Sequence, residues 1–318
     1  MNDKIIEKDK VAFEIDLQEL FLLLWLKKYQ ILVFTFATGI FSIFYSINLS
    51  NYFQSESILI SQDSQNNSSS LGQYSDLAAL AGINLDSGGD SLVNETIEMI
   101  KSRKFVKHLL SFEDVLPSLM ASKSYDKTTN KLFFKEKIYN SNTNEWAGKS
   151  FRYGASKPSY LEAHEVYLSQ LNIFQDKKTN FVNISYEHIS PIFAKDFLNL
   201  IINEANNIMR QRDLDASNNA LAYLKGEFNR TLLKEIKLSI QNLIEFQLET
   251  QMRAKVSEEY RLSVLEPPFV PELKSRPNRS VIVIISTILG FLLSSLSILI
   301  YHFYKISRDS KKESAIKF

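Results

Sequence analysis

The sequence predicts an α+β membrane protein: two transmembrane helices flank a mixed helix-and-strand domain outside the cytoplasm, and a long extended helix belongs to that domain. Two observations near the chain ends and one in the middle predict it. Ile31 to Leu49 and Val281 to Tyr301 are apolar runs without a single charge, close to the ~20 residues that cross a hydrocarbon core about 30 Å thick. Between them, strand-like alternation gives way after Pro191 to a helical pattern that runs without another proline to about Leu262.

Composition narrows the chemistry. The chain has 318 residues, no cysteine and a net charge of +1. Length allows one large domain or two. Without cysteine there is no disulfide framework, thiolate nucleophile, zinc ribbon or iron–sulfur ligand set. Balanced charge gives no sign of nucleic-acid binding, and 45% hydrophobic residues exclude global disorder.

The first span follows an amphipathic segment, Glu14 to Leu26, and the pair Lys27 and Lys28. No small-residue cleavage signal ends it, so it reads as a retained anchor. Lys4, Lys8, Lys10, Lys27 and Lys28 precede it, whereas no Lys or Arg occurs from Ile31 to Ile100. Lys305, Arg308, Lys311, Lys312 and Lys317 follow the second span and outvote Lys274, Arg276 and Arg279 on its other side. Both termini are therefore expected in the cytoplasm. The expected layout is a cytoplasmic segment 1–28, a first span 29–49, an outer domain 50–279, a second span 280–303 and a cytoplasmic tail 304–318.

Each span carries small residues four apart: Thr38, Ser42 and Ser46 in the first, Ser286, Gly290 and Ser294 in the second. That spacing places each trio on one helix face, where two backbones can approach closely. These residues are the expected packing and coupling positions.

In the outer domain, Gln54 to Ser61 reads as a strand, followed by a Ser/Asn/Gln-rich loop to Ser70 and a small-residue stretch, Leu71 to Leu85, that fits a short helix or packed loop. Ser91 to Leu110 reads as an amphipathic helix with Leu92, Thr96, Met99 and Ile100 inward. Ala121 to Ser159 is basic and aromatic, interleaving Lys123, Lys127, Lys131, Lys135, Lys137, Lys149, Arg152 and Lys157 with Phe133, Phe134, Tyr139, Trp146, Phe151 and Tyr153. It is a candidate glycan-contact surface; the blander reading is a solvated insertion with a few core anchors.

Val166 to Phe174 and Asn180 to Tyr186 read as a hairpin about the Asp176, Lys177, Lys178 turn. The long helix, about 191–262 with a possible break at Asp213 to Ser217, carries a stripe of Leu221, Leu224, Phe228, Leu232, Ile236, Ile240 and Leu243. Taken as continuous, roughly 70 residues would reach on the order of 100 Å, too long to bury the stripe on one small domain, so a long helix from another subunit is expected to cover it. Pro267, Pro268, Pro271 and Pro277 form a stiff connector over 266–279, because proline fixes φ and lacks a donor.

No catalytic constellation is read. Gly148-Lys149-Ser150 lacks the upstream glycine of a phosphate loop, since position 143 is Thr. His108, His164, His188 and His302 are scattered, and His164-Glu165 has no second histidine four residues on. No G-x-S-x-G elbow occurs, and Glu258-Glu259 and Asp213/Asp215 fit a solvated helix face. No enzyme activity, cofactor or metal is expected.

The order of parts and several strings resemble the bacterial polysaccharide co-polymerases, the Wzz-type O-antigen chain length determinants. The strings are Ile15-Asp16-Leu17 with Leu20, Leu80-Ala81-Gly82-Ile83, Ile100-Lys101-Ser102-Arg103, Lys157-Pro158-Ser159, Ser185-Tyr186-Glu187-His188, Pro191 with Ala194, and Ile244-Glu245 through Ala254 to Glu259-Tyr260. The most specific is Pro267-Pro268-Phe269-Val270-Pro271-Glu272 with Arg276-Pro277-Asn278-Arg279, running into the second span with Gly290. The resemblance implies a periplasmic α/β base domain, a projecting long helix and a homo-oligomeric ring in the inner membrane. It also implies a non-catalytic role in setting how far a Wzy-type polymerase extends a lipid-linked glycan. Only a short tail follows the second span, as in the branch without a fused kinase. The competing class is a capsule or exopolysaccharide export adaptor; efflux adaptors pair one anchor with a helical hairpin and lipoyl-like β segments, which are not read here. A two-span sensor is disfavoured by the short tail.

Overall fold

The computed structural model describes residues 17–61, 89–148, 151–257 and 259–316. The expected loop to Ser70, the stretch Leu71 to Leu85, and Lys149 and Ser150 lie outside them. The chain divides into two compact units, one of Met1–Leu49 with Pro277–Phe318, the other Ser50–Arg276.

The first unit is helical: α1 (Leu17–Leu26), α2 (Lys28–Ile47) and α9 (Arg279–Ile316). Lys28–Ile47 and the Arg279–Lys305 part of α9 are long and apolar enough to cross a membrane, with only 17% and 11% of their most apolar windows buried. Phe34, Phe36, Phe41, Phe44, Ile284, Leu289 and Leu292 are all more than half exposed. Apolar surface on this scale needs a hydrocarbon solvent, and these are the features of a membrane protein. Helix α9 continues past the apolar stretch to Ile316, through the expected tail.

The second unit is built on a four-stranded antiparallel sheet, β1 (Phe53–Ser61), β6 (Leu171–Gln175), β7 (Val182–His188) and β8 (Leu262–Glu266), in the order β6-β7-β1-β8. Burial alternates strictly along β1, with Phe53, Ser55, Ser57, Leu59 and Ser61 inward, although three of these are serines and Ile58 and Ile60 lie on the other face. α3 (Gly89–Lys101), α4 (Arg103–Leu109), α5 (Val115–Ala121) and α6 (Tyr160–Gln170) add Val93, Ile97, Ile100, Phe105, Leu109, Leu119 and Tyr167 to one core. The expected Ser91 to Leu110 helix is two helices, because Ser102 leaves the helical conformation and its hydroxyl accepts from Phe105 N to cap α4. Thr96 and Ile100 are inward as read, together with Val93 and Ile97.

The hairpin is also corrected: Val166 to Gln170 belongs to α6, which Ser159 and Glu162 start with a reciprocal capping box, and the strand begins only at Leu171. Between α5 and α6 lie two small hairpins, β2 (Ser122–Asp126) with β3 (Lys131–Phe134) and β4 (Tyr139–Asn140) with β5 (Glu145–Trp146).

The long helix differs most from expectation. α7 (Pro191–Arg230) has 40 residues, about 60 Å at ~1.5 Å each. It ends at Thr231, and α8 (Lys234–Val256) folds back along it. The break falls at 231–233 rather than 213–217, and β8 starts at Leu262, the residue where the helix was expected to end. Ser190 caps α7, Pro191 fills its first turn, and its first four turns lay Ala194, Phe197, Leu198, Ile201 and Ile202 on the sheet. Beyond them Leu224 packs on Ile240 and Leu243, and Ser217 Oγ donates to Gln247 O. Leu221, Leu224, Phe228, Ile240 and Leu243 of the stripe are thus covered within the chain, so a second subunit is not needed to bury them, whereas Leu232 and Ile236 stay exposed. Leu232, at the apex, is 94% exposed.

The hairpin root is polar. Arg261 pairs with Asp213 at 2.5 Å, both mostly buried, and burial with the nearby Asp213 carboxylate pushes the Tyr260 hydroxyl up to about 12. Buried Asn206 donates to Leu262 O and accepts from Arg261 N and Leu262 N, tying the start of β8 to α7.

Candidate functional site in the helix pair and the proline connector

Within the first unit, the small residues of α2 and α9 meet. A Cβ built on Gly290 would overlap Thr38 Oγ1 and lie 2.9 Å from Thr38 Cβ, so only glycine fits there. Thr38 Oγ1, the atom nearest Gly290, donates back to Thr35 O at 2.8 Å, so this hydroxyl is satisfied within its own helix. One position along, Gly39 lies against Thr287, a Cβ there falling 3.5 Å from Thr287 Oγ1. Sequence reading missed Gly39 and Thr287; their signal was a small residue next to each chosen one. Ser42, Ser46 and Ser294 are buried, whereas Ser286 is half-buried. Ser294 donates to Phe291 O, while Ser42 Oγ and Ser46 Oγ have no partner among the described residues. Between α1, α2 and α9 runs an apolar groove of about 720 Å³, with Trp25, Lys28, Thr35, Gly39 and Phe291 in its lining.

In the second unit the connector runs along the sheet. Pro268 and Pro271 are buried and Pro267 is exposed. A proline-rich segment cannot offer a full ladder of N–H donors, and β1 supplies side-chain donors instead. Ser57 Oγ donates to Glu266 O at 2.6 Å and Ser55 Oγ to Phe269 O at 2.7 Å. Backbone pairing resumes where Tyr52 N donates to Arg276 O and Ser275 N to Tyr52 O. Glu187 on β7 pairs with Arg276 at 2.5 Å and accepts from Ser275 Oγ. Pro277, with Asn278, leads into α9 in the other unit.

The basic, aromatic segment behaves as a satellite core. Phe134, Tyr139, Trp146 and Phe151 pack on one another with centroids 5.0 to 5.7 Å apart, and burial raises the Tyr139 hydroxyl above its ordinary value. Phe133 alone among the aromatics from 133 to 151 is classed as exposed, while Lys123, Lys127, Lys131, Lys135 and Lys137 face solvent. Arg152 pairs with Glu165.

The histidines have structural surroundings. His108 lies 2.6 Å from Glu204, His164 Nε2 is 2.8 Å from Lys101 O, and His188 is buried. Among the described residues no three His, Asp or Glu side chains group as a metal site.

Residues 13–112 match the family model described as "Wzz: Chain length determinant protein". Over this part the chain is similar to the Wzz family of chain length determinants. A full-length bacterial polysaccharide co-polymerase aligns with 91% of this chain and 98% of its own at 11% identity, TM-score 0.40. A fragment of WzzB, a polysaccharide co-polymerase from Salmonella Typhimurium, aligns with 71% of this chain and all of its own at 12% identity, TM-score 0.29. No curated protein matches the chain by sequence.

The matched region holds α1, α2, β1, α3 and α4. One of its recognisable strings, Ile100-Lys101-Ser102-Arg103, is the capped break between α3 and α4, and Leu80 to Ile83 lies outside the described residues. Outside the matched region the strings also fall on structural devices: Ser159 and Pro191 start helices, Tyr186 is buried, and Glu187 anchors the connector.

Proposed function

We propose that this chain is a non-catalytic regulator of surface-polysaccharide chain length, acting as a homo-oligomer in the bacterial inner membrane on a Wzy-type polymerase that extends a lipid-linked glycan, the O-antigen of lipopolysaccharide or a related polymer. The match of residues 13–112 to the chain length determinant family carries the reading. Two apolar helices bracketing a large polar unit support it, since they keep that unit beside membrane-embedded partners. In this reading residues 1–28 and 304–318 are cytoplasmic and 50–279 periplasmic. The packed faces of Thr38, Ser42, Ser46, Ser286, Gly290 and Ser294, with Pro267, Pro268, Pro271 and Pro277, couple the ring to the polymerase.

Deleting the gene tests the role. Glycan released from the knockout should lose its modal length on a gel ladder and regain it on complementation. Intracellular accumulation of finished polymer would instead favour an export adaptor. A complementing Pro277→Ala chain should shift the mode, and a wild-type ladder at normal expression would remove the connector from the coupling role.

A further inference from the structure

We propose that the edge of the Ser50–Arg276 unit where the chain enters and leaves is a docking surface for anionic phospholipid headgroups. Lys127 and Lys274 meet the phosphates, and Leu273, Phe269 and Val270 enter the zone between headgroup and acyl chain. The two strands of chain at this edge are bridged by the Tyr52–Arg276 pair, with Tyr52 N donating to Arg276 O at 2.9 Å. Leu49 and Pro277, which continue into the two apolar helices, are three and one residues further along the sequence. At ~3.5 Å per residue the chain cannot carry this edge far from whatever surrounds those helices.

The turn of the β2–β3 hairpin arrives at the same place from elsewhere in the sequence. Lys127 Nζ lies 5.0 Å over the Phe53 ring and donates to Glu272 O at 3.4 Å, next to Leu273 and Lys274. Leu273 is 83% exposed, and Phe269 and Val270 are nearly half exposed, an apolar trio on a connector whose two buried prolines hold it in place. Of the nearby acids, Glu187 is held by Arg276 and Ser275, and Asp126 accepts from Thr128 N and Thr129 Oγ1; Glu272 faces solvent. Asp126 stays ionised under its hydrogen bonds and Glu272 is exposed, but among the described residues no carboxylate pairs with Lys127 or Lys274, so both ammonium groups stand open beside the apolar trio, as an anionic interface requires.

The absence of cysteine makes the test direct. A Leu273→Cys chain, full length and in lipid nanodiscs, takes one nitroxide label whose accessibility to oxygen and to a water-soluble nickel chelate reports its depth. With phosphatidylglycerol present the label should be shielded from the chelate. Phosphatidylcholine alone, or ~1 M salt with its Debye length of about 3 Å, should release it. Lys127→Ala and Lys274→Ala should each shift the docked-to-released ratio by about fivefold. Equal chelate accessibility in the two lipids, or no effect of either lysine substitution, overturns the proposal; if a lysine variant fails to fold, the lipid comparison on the labelled parent decides alone. The inference needs only that α2 and α9 span the bilayer, so it stands or falls apart from the polysaccharide reading.

Discussion

At the scale of single residues, His188 shows how burial dictates chemistry. Its Nδ1 accepts from Ser190 N at 3.1 Å, which places the ring proton on Nε2, 2.9 Å from Ser118 O. Burial pushes the imidazole down to about 4, although the Ser118 carbonyl pulls the other way. An unfolded chain titrates near 6.5, so between 6.5 and 4 it binds a proton that the folded chain refuses. Stability is then full above about pH 6.5 and is lost as pH falls toward 4, by about 3 kcal/mol from this group. Urea unfolding at pH 7, 6, 5 and 4.5 should follow that slope, and His188→Gln should flatten it. An unchanged slope in the variant would assign the pH dependence elsewhere. The sequence offered four histidines without rank; only the packing of α5 and Phe193 around this one selects it.

At the scale of elements, the helix pair and the helical hairpin were legible to different degrees. Four-residue spacing of small side chains is a local signal, and it named Thr38 and Gly290, which the structure puts in contact. Gly290→Leu should force the helices apart and cost about 1–3 kcal/mol, the range for overpacking a filled site. Single cysteines in α2 and α9 should cross-link less in that variant, and Thr38→Gly should restore part of the loss; equal cross-linking efficiency would contradict the close approach. The α7–α8 hairpin had no such signal. Thr231-Leu232-Leu233 contains no proline or glycine, and the stripe of Leu221 to Leu243 continues across it. What ends the helix is the gain from folding Ile240 and Leu243 onto Leu224 and returning the chain so that β8 can pair with β1. Tertiary burial of this kind overrides helix propensity, which is worth only tenths of a kcal/mol per residue.

At the scale of the whole molecule, the two-span layout follows from hydrophobic runs, and the orientation rests on lysine and arginine asymmetry. A phosphatase reporter, active only outside the cytoplasm, should be silent when fused after Phe318 and active when inserted in the 62–70 segment. Activity at Phe318 would reverse the tail and undo the topology. The same asymmetry leaves Lys274, Arg276 and Arg279 on the minority side, where Arg276 has a structural use in its pair with Glu187.

The sequence by itself determined the apolar spans, their small-residue faces, the first strand, the start of the long helix at Ser190-Pro191 and the proline connector. Each is written in neighbouring residues through periodicity, capping or a fixed φ, and so is readable without a partner. Only the tertiary structure decided that the long helix folds back, that Leu262 begins a strand, that the aromatics from Phe134 to Phe151 face one another, and that Lys127 reaches the connector. Those outcomes depend on which surfaces far apart in the chain bury each other, and no local pattern records that choice.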